Sequence, residues 1–348
     1  MVTSSGTDAT AVLDGFTITG GNADASVTAP APMLASGESF DSEALGRDEK
    51  PTLSGTSVPG TRIVTAWIDT HGGGVENIAG SPTLANLLIT GNYAADGGGM
   101  YNDSGSPALI NVHFKDNTGI WGGAFHSWDD GAPSLVNVAF TGNTADFGAA
   151  LYNNWSDPEI VNVTSYGNSA YRGGSIYNSY SEPVLVNTIL WGDTAQDGGD
   201  EIYNASAMPE ISYSLVAGSG GSPLWNGSFG SDGGGNVDAD PMFLDAPAGD
   251  LGIIPGSPAL DAGDNGAPGI PATDIEGDPR IVNGIIDMGA YEFQGPPCPP
   301  DCVVYVDADA VGAGDGSSWT DAFTDIVSAL LYVTCPAVTD IWVAEGTY

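Results

Sequence analysis

The sequence predicts an all-β fold, a right-handed parallel β-helix solenoid with coils of about 25 residues. A glycine recurs once per coil, and a proline follows each glycine. Because no helical pattern lasts more than a few residues here, each unit has to form short strands and turns. The recurring glycines are Gly72, Gly97, Gly122, Gly148, Gly173 and Gly198, and the prolines are Pro82, Pro107, Pro133, Pro158, Pro183 and Pro209.

Three apolar columns recur with the same period and are predicted to form the core. One unit cannot bury a core alone, but stacked coils place equivalent residues over one another at the strand spacing of about 4.8 Å. The chirality of parallel crossovers predicts right-handed winding. The columns are Met100, Phe125, Leu151, Ile176 and Ile202; Leu84, Leu109, Leu135, Ile160 and Leu185; and Ile89, Phe114, Phe140 and Leu190, with Ser165 weakening the third.

Three asparagine columns accompany the apolar ones. Asparagine tolerates the left-handed backbone conformation at bends, and stacked amides can hydrogen-bond along a column. We therefore expect bends and amide ladders at these positions. The columns are Asn86, Asn111, Asn137, Asn162 and Asn187; Asn92, Asn117, Asn143 and Asn168, with Asp193 in register; and Asn77, Asn102, Asn153, Asn178 and Asn204, with Ser127 in register.

These units resemble the coils of known right-handed parallel β-helix proteins. Residues 97–121, GGGMYNDSGSPALINVHFKDNTGIW, are similar to the repeats of polymorphic outer-membrane-protein type and of the pectate-lyase-like superfamily. Residues 12–23, VLDGFTITGGNA, resemble an earlier coil, which implies that the chain starts inside the solenoid. The segments SPALDAGD and DMGAYEF resemble the closing domain of surface β-helix proteins that is known as choice-of-anchor Q. A closing domain is expected to cover the last apolar layer of the solenoid.

The pattern divides the chain into six parts. The last part has strand–helix–strand spacing around SWTDAFTDIVSALLYV and resembles the N-terminal cap of a second β-helix. The parts are 1–23, a partial coil; 24–71, a low-complexity insertion; 72–237, the coils; 238–293, the closing domain; 294–302, a Pro-rich linker with cysteine; and 303–348, the cap of the second module.

The chain carries 44 acidic and 6 basic residues, for a formal net charge of −38. Such a field repels nucleic-acid phosphates and anionic lipid headgroups and attracts divalent cations. No stretch has the length and apolarity of a transmembrane helix, and the N-terminus does not have the pattern of a signal peptide. We expect an extracellular or cell-surface protein that binds neither nucleic acid nor the membrane interior. A Cys298–Cys302 or a Cys302–Cys335 disulfide would suit that compartment.

The families that the chain resembles include enzymes that act on acidic polysaccharides as well as non-catalytic surface proteins. For an enzyme, a lyase could use His113 and Lys115, which strand alternation places outward on one coil. A hydrolase could use the paired carboxylates Asp129 and Asp130. Calcium could bind a bend region that carries Asp103, Asp129, Asp130 and Asp157. The alternatives without a functional role are a solvated His–Lys pair and aspartates that serve only as turn residues.

Aromatic residues predict a binding surface. Trp128, Trp155 and Tyr180 follow one asparagine column, and Trp121 and Phe147, followed by Arg172, precede the glycines. If the coils stack, these residues form two exposed ladders that could bind sugar rings, although they could equally pack against one another. His126 occupies the Tyr101 and Tyr152 position and is interpreted as a surface filler.

The sequence therefore predicts a non-catalytic, structural or adhesive β-helix protein that binds glycans or neighbouring surface proteins. The glycan-binding residues would be Trp121, Trp128, Trp155 and Tyr180. No cofactor is required, although calcium is compatible with the acidic bends. The alternative is a calcium-dependent polysaccharide lyase or a glycoside hydrolase, and a third possibility is a passive spacer. Low positive charge in the coils disfavours cleavage of uronates.

Overall fold

The computed structural model describes residues 2–5, 11–20, 63–64, 71–294, 303–312, 314, 316–326, 329 and 340–346. Three parallel sheets run along a β-solenoid of about six turns, so the predicted all-β parallel β-helix is confirmed. Each coil contributes one strand or bridge to each sheet in turn. The 24–71 insertion and the linker 294–302 lie almost wholly outside the described residues. Cys298 and Cys302 of the linker, and Cys335 further along the chain, are also outside them, so the predicted disulfides stay predictions.

The sheets are named here in the order in which a coil visits them. Sheet 1 contains Val2–Ser5, Val75–Ile78, Met100–Asp103, Phe125–Trp128, Leu151–Asn154, Ile176–Ser179 and Ile202–Ala205. Sheet 2 contains Val12–Asp14, Thr17–Thr19, Ile63–Val64, Thr83–Thr90, Ala108–Lys115, Ser134–Thr141, Glu159–Tyr166, Val184–Val186, Ile189–Trp191, Glu210–Ser212, Leu215–Val216 and Ser231–Gly234. Sheet 3 contains Thr144–Phe147, Ser169–Arg172 and Thr194–Ala195.

Outside these sheets, Phe243–Asp245 pairs with Asp250–Ile253 in an antiparallel ribbon. Val303–Val306 pairs in parallel with Asp340–Val343, as the strand–helix–strand pattern predicts. The helix predicted over residues 318–333 is wrong in its first half: residues 318–325 form bends, and Phe323 pairs with Val306 in a bridge. Ile326 and Ala329 are helical, and the other residues of the predicted helix lie outside the described residues. Short 3₁₀ helices occupy Ser222–Leu224 and Ala246–Ala248. No helix among the described residues has the length and apolarity to cross a membrane.

The strand registers confirm the predicted core columns. In sheet 1, Met100 pairs with Phe125, and the pairing continues through Leu151 and Ile176 to Ile202. The two predicted columns of sheet 2 pair in the same way, and all of these side chains but Ser165 belong to one buried cluster. Stacking in register therefore buries a continuous core that no single coil could form.

Glycines allow the tight turn that leads into each strand of sheet 1. Gly97 has φ +62°, and a Cβ on Gly98 would lie 2.2 Å from the Thr118 carbonyl oxygen of the next coil. A side chain there would push the coils apart. In the last coil Gly199, rather than Gly198, takes the equivalent position three residues before Ile202, because the register step there is one residue longer.

The asparagine columns divide into two kinds. Only the column from Asn86 to Asn187 adopts the left-handed conformation, with φ between 52° and 55°, and it bends the strands of sheet 2. The other two are buried amide ladders. In the ladder from Asn92 to Asn168, each Nδ2 and each backbone N–H donates to the side-chain oxygen of the next coil, at 2.7–3.1 Å.

A buried polar network ends this ladder. Asp193 accepts hydrogen bonds from Asn168 through Oδ1 and from the Ser165 hydroxyl through Oδ2, at 2.7 Å for the hydroxyl. The Ser175 hydroxyl donates to Ser165 at 2.6 Å. Ser165 therefore interrupts the apolar column because it belongs to this network. Burial, followed by the neighbouring Asp193 carboxylate, raises the pKa of Glu201, and burial also raises the pKa of Asp193.

The apolar end of the last coil is covered by the glycine-rich segment that follows it. Trp225 and Phe229 pack against the main core, and the Trp225 indole donates to the Gly230 carbonyl at 2.8 Å. Residues 238–293, which were expected to cover this end, lie instead along the outer face of sheet 2. There the Ala290 N–H donates to Thr164 Oγ1, and Asn137 Nδ2 donates to the Thr273 carbonyl. We call residues 238–293 the flanking segment.

The DMGAYEF motif has a structural role in the flanking segment. The Arg280 guanidinium is buried and donates to the carbonyls of Asp287 and Gly289 at 2.9 and 2.6 Å. The Glu292 carboxylate accepts the N–H groups of Val282 and Asp287. These bonds tie the motif to the preceding turn, so its residues hold the segment together.

Replacing Asn143 by alanine is expected to lower the free energy of unfolding by about 3 kcal/mol, measured by urea denaturation. The change leaves the Asn117 amide without its acceptor and the Phe114 carbonyl without its donor, both inside the core. Thr144→Ala, one residue further at an exposed position, is the control and should change stability by less than about 0.5 kcal/mol. Equal losses of stability in the two variants would contradict a contribution of the amide ladder to the free energy of unfolding.

The raised pKa of Glu201 predicts that the stability of the fold depends on pH. A carboxyl whose folded-state pKa is raised stabilises the fold at low pH, and this contribution is lost as the pH rises above the ordinary carboxyl range. Glu201→Gln should therefore match the parent at pH 4 and exceed it by about 1–3 kcal/mol at pH 8. Denaturation at several pH values measures this, with the exposed Glu210→Gln as control. Parallel pH profiles for parent and Glu201→Gln would refute the assignment.

Candidate functional site: aromatic residues around sheet 1

The predicted Trp128, Trp155 and Tyr180 ladder is wrong in one member. Trp128 pairs with Asp103 on one side and with Asn154 on the other. Trp155 and Tyr180 lie one position later, in the first residue of the bend. The offset is already present in the sequence, because Trp128 directly follows Ser127 of the asparagine column, whereas Trp155 and Tyr180 lie two residues after Asn153 and Asn178.

Trp155 and Tyr180 form a stacked and exposed pair. Their ring centroids are 4.6 Å apart with an interplanar angle of 8°, and the two residues are 54% and 53% exposed. The rings stack along the solenoid axis because they occupy equivalent positions in successive coils. Each ring therefore covers one face of the other and retains one further face, towards Asp129 for Trp155 and towards Ser206 for Tyr180.

Both residues of this pair have an unfavourable backbone conformation. Trp155 has φ +53° and Tyr180 has φ +50°, in a column whose other members are Ala79, Ser104, Asp129 and Ser206. A left-handed conformation costs a bulky residue about 1–2 kcal/mol. Tyr213 is the other aromatic residue with positive φ in the described chain, and its ring packs over Gly235. The exposed pair has no comparable burial to offset its strain.

A second aromatic column lies on the outer side of sheet 1. Its rings follow one another with centroid distances of 4.8–5.2 Å: Tyr101, His126, Tyr152, Tyr177 and Tyr203. Side chains from the end of sheet 3 pack over it. Phe147 contacts Tyr177 at 5.5 Å, and the Arg172 guanidinium lies 5.3 Å from the Tyr203 ring. We call these two sets of residues together the aromatic seam.

The interpretation of His126 as a surface filler is wrong. His126 is 1% exposed, between Tyr101 and Tyr152, and its Nδ1 lies 3.1 Å from Asp96 Oδ1. Burial lowers the pKa of His126, and the Asp96 contact opposes that shift. The shared column with tyrosines was visible in the sequence. The burial was not, because it depends on residues such as Asp96 at the end of sheet 3.

The predicted Trp121, Phe147 and Arg172 column is correct in its register, since these residues pair in successive coils. Arg172 forms an ion pair with Asp197, with Nε and Nη2 at 2.9 and 2.5 Å from Oδ2. Trp121 and Trp128 are partly exposed, and the Trp128 ring lies edge-on to His126 of the aromatic seam at a centroid distance of 5.9 Å. Phe147 and Arg172 are largely occupied by packing, so the column is not a free ladder.

The structure does not bring the four alternative catalytic residues together. His113 and Lys115 lie on sheet 2, whereas Asp129 and Asp130 lie in the bend after sheet 1. His113 Nε2 is 2.7 Å from the hydroxyl of Thr141. Burial, followed by the charge of Lys115, lowers the pKa of His113 to about 4, so this imidazole is neutral at pH 7.

Three of the four aspartates proposed for calcium form hydrogen bonds at the bends, and Asp130 lies in the same bend with positive φ. The Ser104 hydroxyl donates to Asp103 at 2.7 Å and lies 3.3 Å from Asp129, while Asp157 accepts the Glu182 N–H. Within the described residues, no group of three His, Cys, Asp or Glu side chains is arranged to hold a metal ion. Calcium binding thus stays a prediction without an assembled ligand set.

The fold and these surfaces define the chain as a parallel β-solenoid repeat protein. Comparison with protein-family models, with curated proteins and with solved structures gives no match to it. The resemblance to surface β-helix proteins therefore depends on the repeat motifs alone.

The strain in the aromatic pair predicts that stability does not require it. Trp155→Asn exchanges about 1 kcal/mol of ring stacking for relief of a similar backbone cost, so thermal or urea unfolding should change by less than about 1 kcal/mol. Tyr152→Ala, in the buried part of the aromatic seam, should cost about 2–4 kcal/mol. A loss in Trp155→Asn as large as that in Tyr152→Ala would show that the pair is part of the structural framework.

Proposed function

We propose that the chain is a non-catalytic, extracellular or cell-surface binding module whose Trp155–Tyr180 pair binds glycans. The observation that carries the proposal is the exposure of two stacked aromatic rings on a strained backbone. Strained residues persist where the surrounding structure holds them, and they cluster at ligand-binding sites. Aromatic faces are suitable partners for the apolar faces of sugar rings.

The geometry of the pair favours binding at its ends. Ser206 follows Tyr180 in the column and is small, which leaves space for a sugar over the outer face of the tyrosine. Asp129 precedes Trp155 and offers a carboxylate for sugar hydroxyl groups. Trp128 and Trp121 extend the aromatic surface towards the aromatic seam. A glycan chain would thus contact several coils.

Charge favours neutral glycans over uronates. The chain has a formal net charge of −38, and the coils from residue 72 to 237 carry Lys115 and Arg172 as their basic residues. Arg172 is already paired with Asp197. The same shortage of positive charge disfavours the polysaccharide lyase alternative, which has to neutralise a uronate. The partners proposed are extracellular neutral glycans or neighbouring surface proteins, and no nucleic acid.

Affinity electrophoresis of the full chain through gels that contain neutral or uronate polysaccharides tests this proposal. We expect retardation by at least one neutral polysaccharide, for example mannan, xyloglucan or laminarin, and no retardation by pectate or alginate. Trp155→Asn and Tyr180→Asn should each weaken the retardation by about tenfold or more, which corresponds to about 1.4 kcal/mol.

Tyr213→Asn is the matched control, because Tyr213 has the same backbone conformation and is 39% exposed but lies in the bend of sheet 2. Equal retardation of Trp155→Asn, Tyr180→Asn and Tyr213→Asn would refute the assignment of glycan binding to the aromatic pair. A second arm records the absorbance of unsaturated products from pectate and alginate and the release of reducing ends from the neutral polysaccharides. Turnover in either assay would replace the binding module with the enzyme alternative.

A further inference from the structure

The flanking segment covers only part of one outward column of sheet 2. This column contains Leu88, His113, Ala139, Thr164 and Ile189. Ala139 is buried against Tyr291, Thr164 accepts the Ala290 N–H, and Ile189 packs with Met288. The cover ends before His113 and Leu88, which remain partly exposed. The flanking segment therefore ends on the outer face of sheet 2 between Ala139 and His113.

A cleft of about 530 Å³ lies where the flanking segment ends on sheet 2. That volume is within the range of small-ligand sites, which are frequent between two parts of a protein. Tyr291 and Glu276 of the flanking segment form one wall, and sheet 2 with the preceding residues forms the others. The residues that carry the argument are Phe16, Leu88, Asn111, His113, Glu276 and Tyr291.

The polar groups of the cleft are held in place by their neighbours. His113 is fixed through Nε2 by the Thr141 hydroxyl, and its imidazole is neutral. Asn111 Nδ2 donates to Asn86 Oδ1, and Asn111 Oδ1 accepts from Asn137, so the amide is oriented along the asparagine column that bends sheet 2. A fixed amide and a neutral imidazole offer both donors and acceptors without charge.

The charges around the cleft select against anions. Burial of the Glu276 carboxyl, followed by the neighbouring carboxylates of Asp274, Asp250 and Asp278, raises its pKa. Lys115 is the basic residue next to His113. The acidic groups thus outnumber the basic one, while Phe16, Leu88 and Tyr291 supply apolar and aromatic surface.

We propose that this cleft binds a single neutral sugar residue or the end of a neutral glycan chain. The aromatic side chains and Leu88 would contact the apolar face of the ring, and His113, Asn111 and Glu276 would hydrogen-bond its hydroxyl groups. This combination of apolar walls with a few convergent polar groups is typical of small-ligand sites. The cleft lies on sheet 2, so it is independent of the Trp155–Tyr180 pair.

Saturation-transfer NMR on the full chain tests the proposal with glucose, galactose, mannose and N-acetylglucosamine as probes, and with glucuronate and galacturonate as their charged counterparts. We expect transfer to at least one neutral sugar and at least tenfold weaker transfer to the uronates. The cleft variants are compared in the Trp155→Asn background, so that the aromatic pair does not contribute to the transfer. There Leu88→Trp, which fills the cleft, should abolish the remaining signal, and His113→Ala should weaken it by about tenfold.

Val184→Trp is the control, because it adds the same ring to an exposed position of sheet 2 outside the cleft. Circular dichroism of Leu88→Trp and His113→Ala establishes that the solenoid is intact. The absence of transfer to every neutral sugar would overturn the proposal, as would a signal that survives Leu88→Trp in the Trp155→Asn background. A signal lost in Trp155→Asn but kept in Leu88→Trp would assign the sugar to the aromatic pair instead.

Discussion

The buried amide ladder from Asn92 to Asp193 fixes the register on which the rest of the structure depends. Each rung satisfies a backbone N–H and a side-chain amide with one oxygen of the next coil. A slip of one residue would leave these groups unpaired inside the core, and unpaired buried polar groups are costly. The apolar columns alone would tolerate more variation, since hydrophobic contact is not directional. The amides therefore specify which residues meet between coils.

The proposed ligand-binding surfaces follow from this register. Because equivalent positions lie at the strand spacing, Trp155 meets Tyr180, and the rings of the aromatic seam form a continuous column. The same rule separates Trp128 from the pair and buries His126 between two tyrosines. The flanking segment uses the outer face of sheet 2, where it stops beside His113. The proposed binding sites thus consist of side chains that the stacking of the coils does not require.

Sequence periodicity was sufficient for the fold and the core columns, since a one-dimensional repeat translates directly into stacked positions. The same periodicity places Trp128 one position before the Trp155 column, because Trp128 directly follows Ser127 whereas Trp155 lies two residues after Asn153. Periodicity could not show that residues 238–293 lie along sheet 2 or that Asp96 covers His126. Those contacts join parts of the chain that no repeat relates.

Hydrogen exchange of the backbone amides of Asn92, Asn117 and Asn143 tests the central claim most directly. Each of these N–H groups donates to a side-chain oxygen of the following coil and not to a carbonyl. If the ladder fixes the register, the three amides should exchange only through global unfolding and rank with the slowest in the protein. Exchange at the rate of exposed turn amides, such as that of Gly227, would contradict the account.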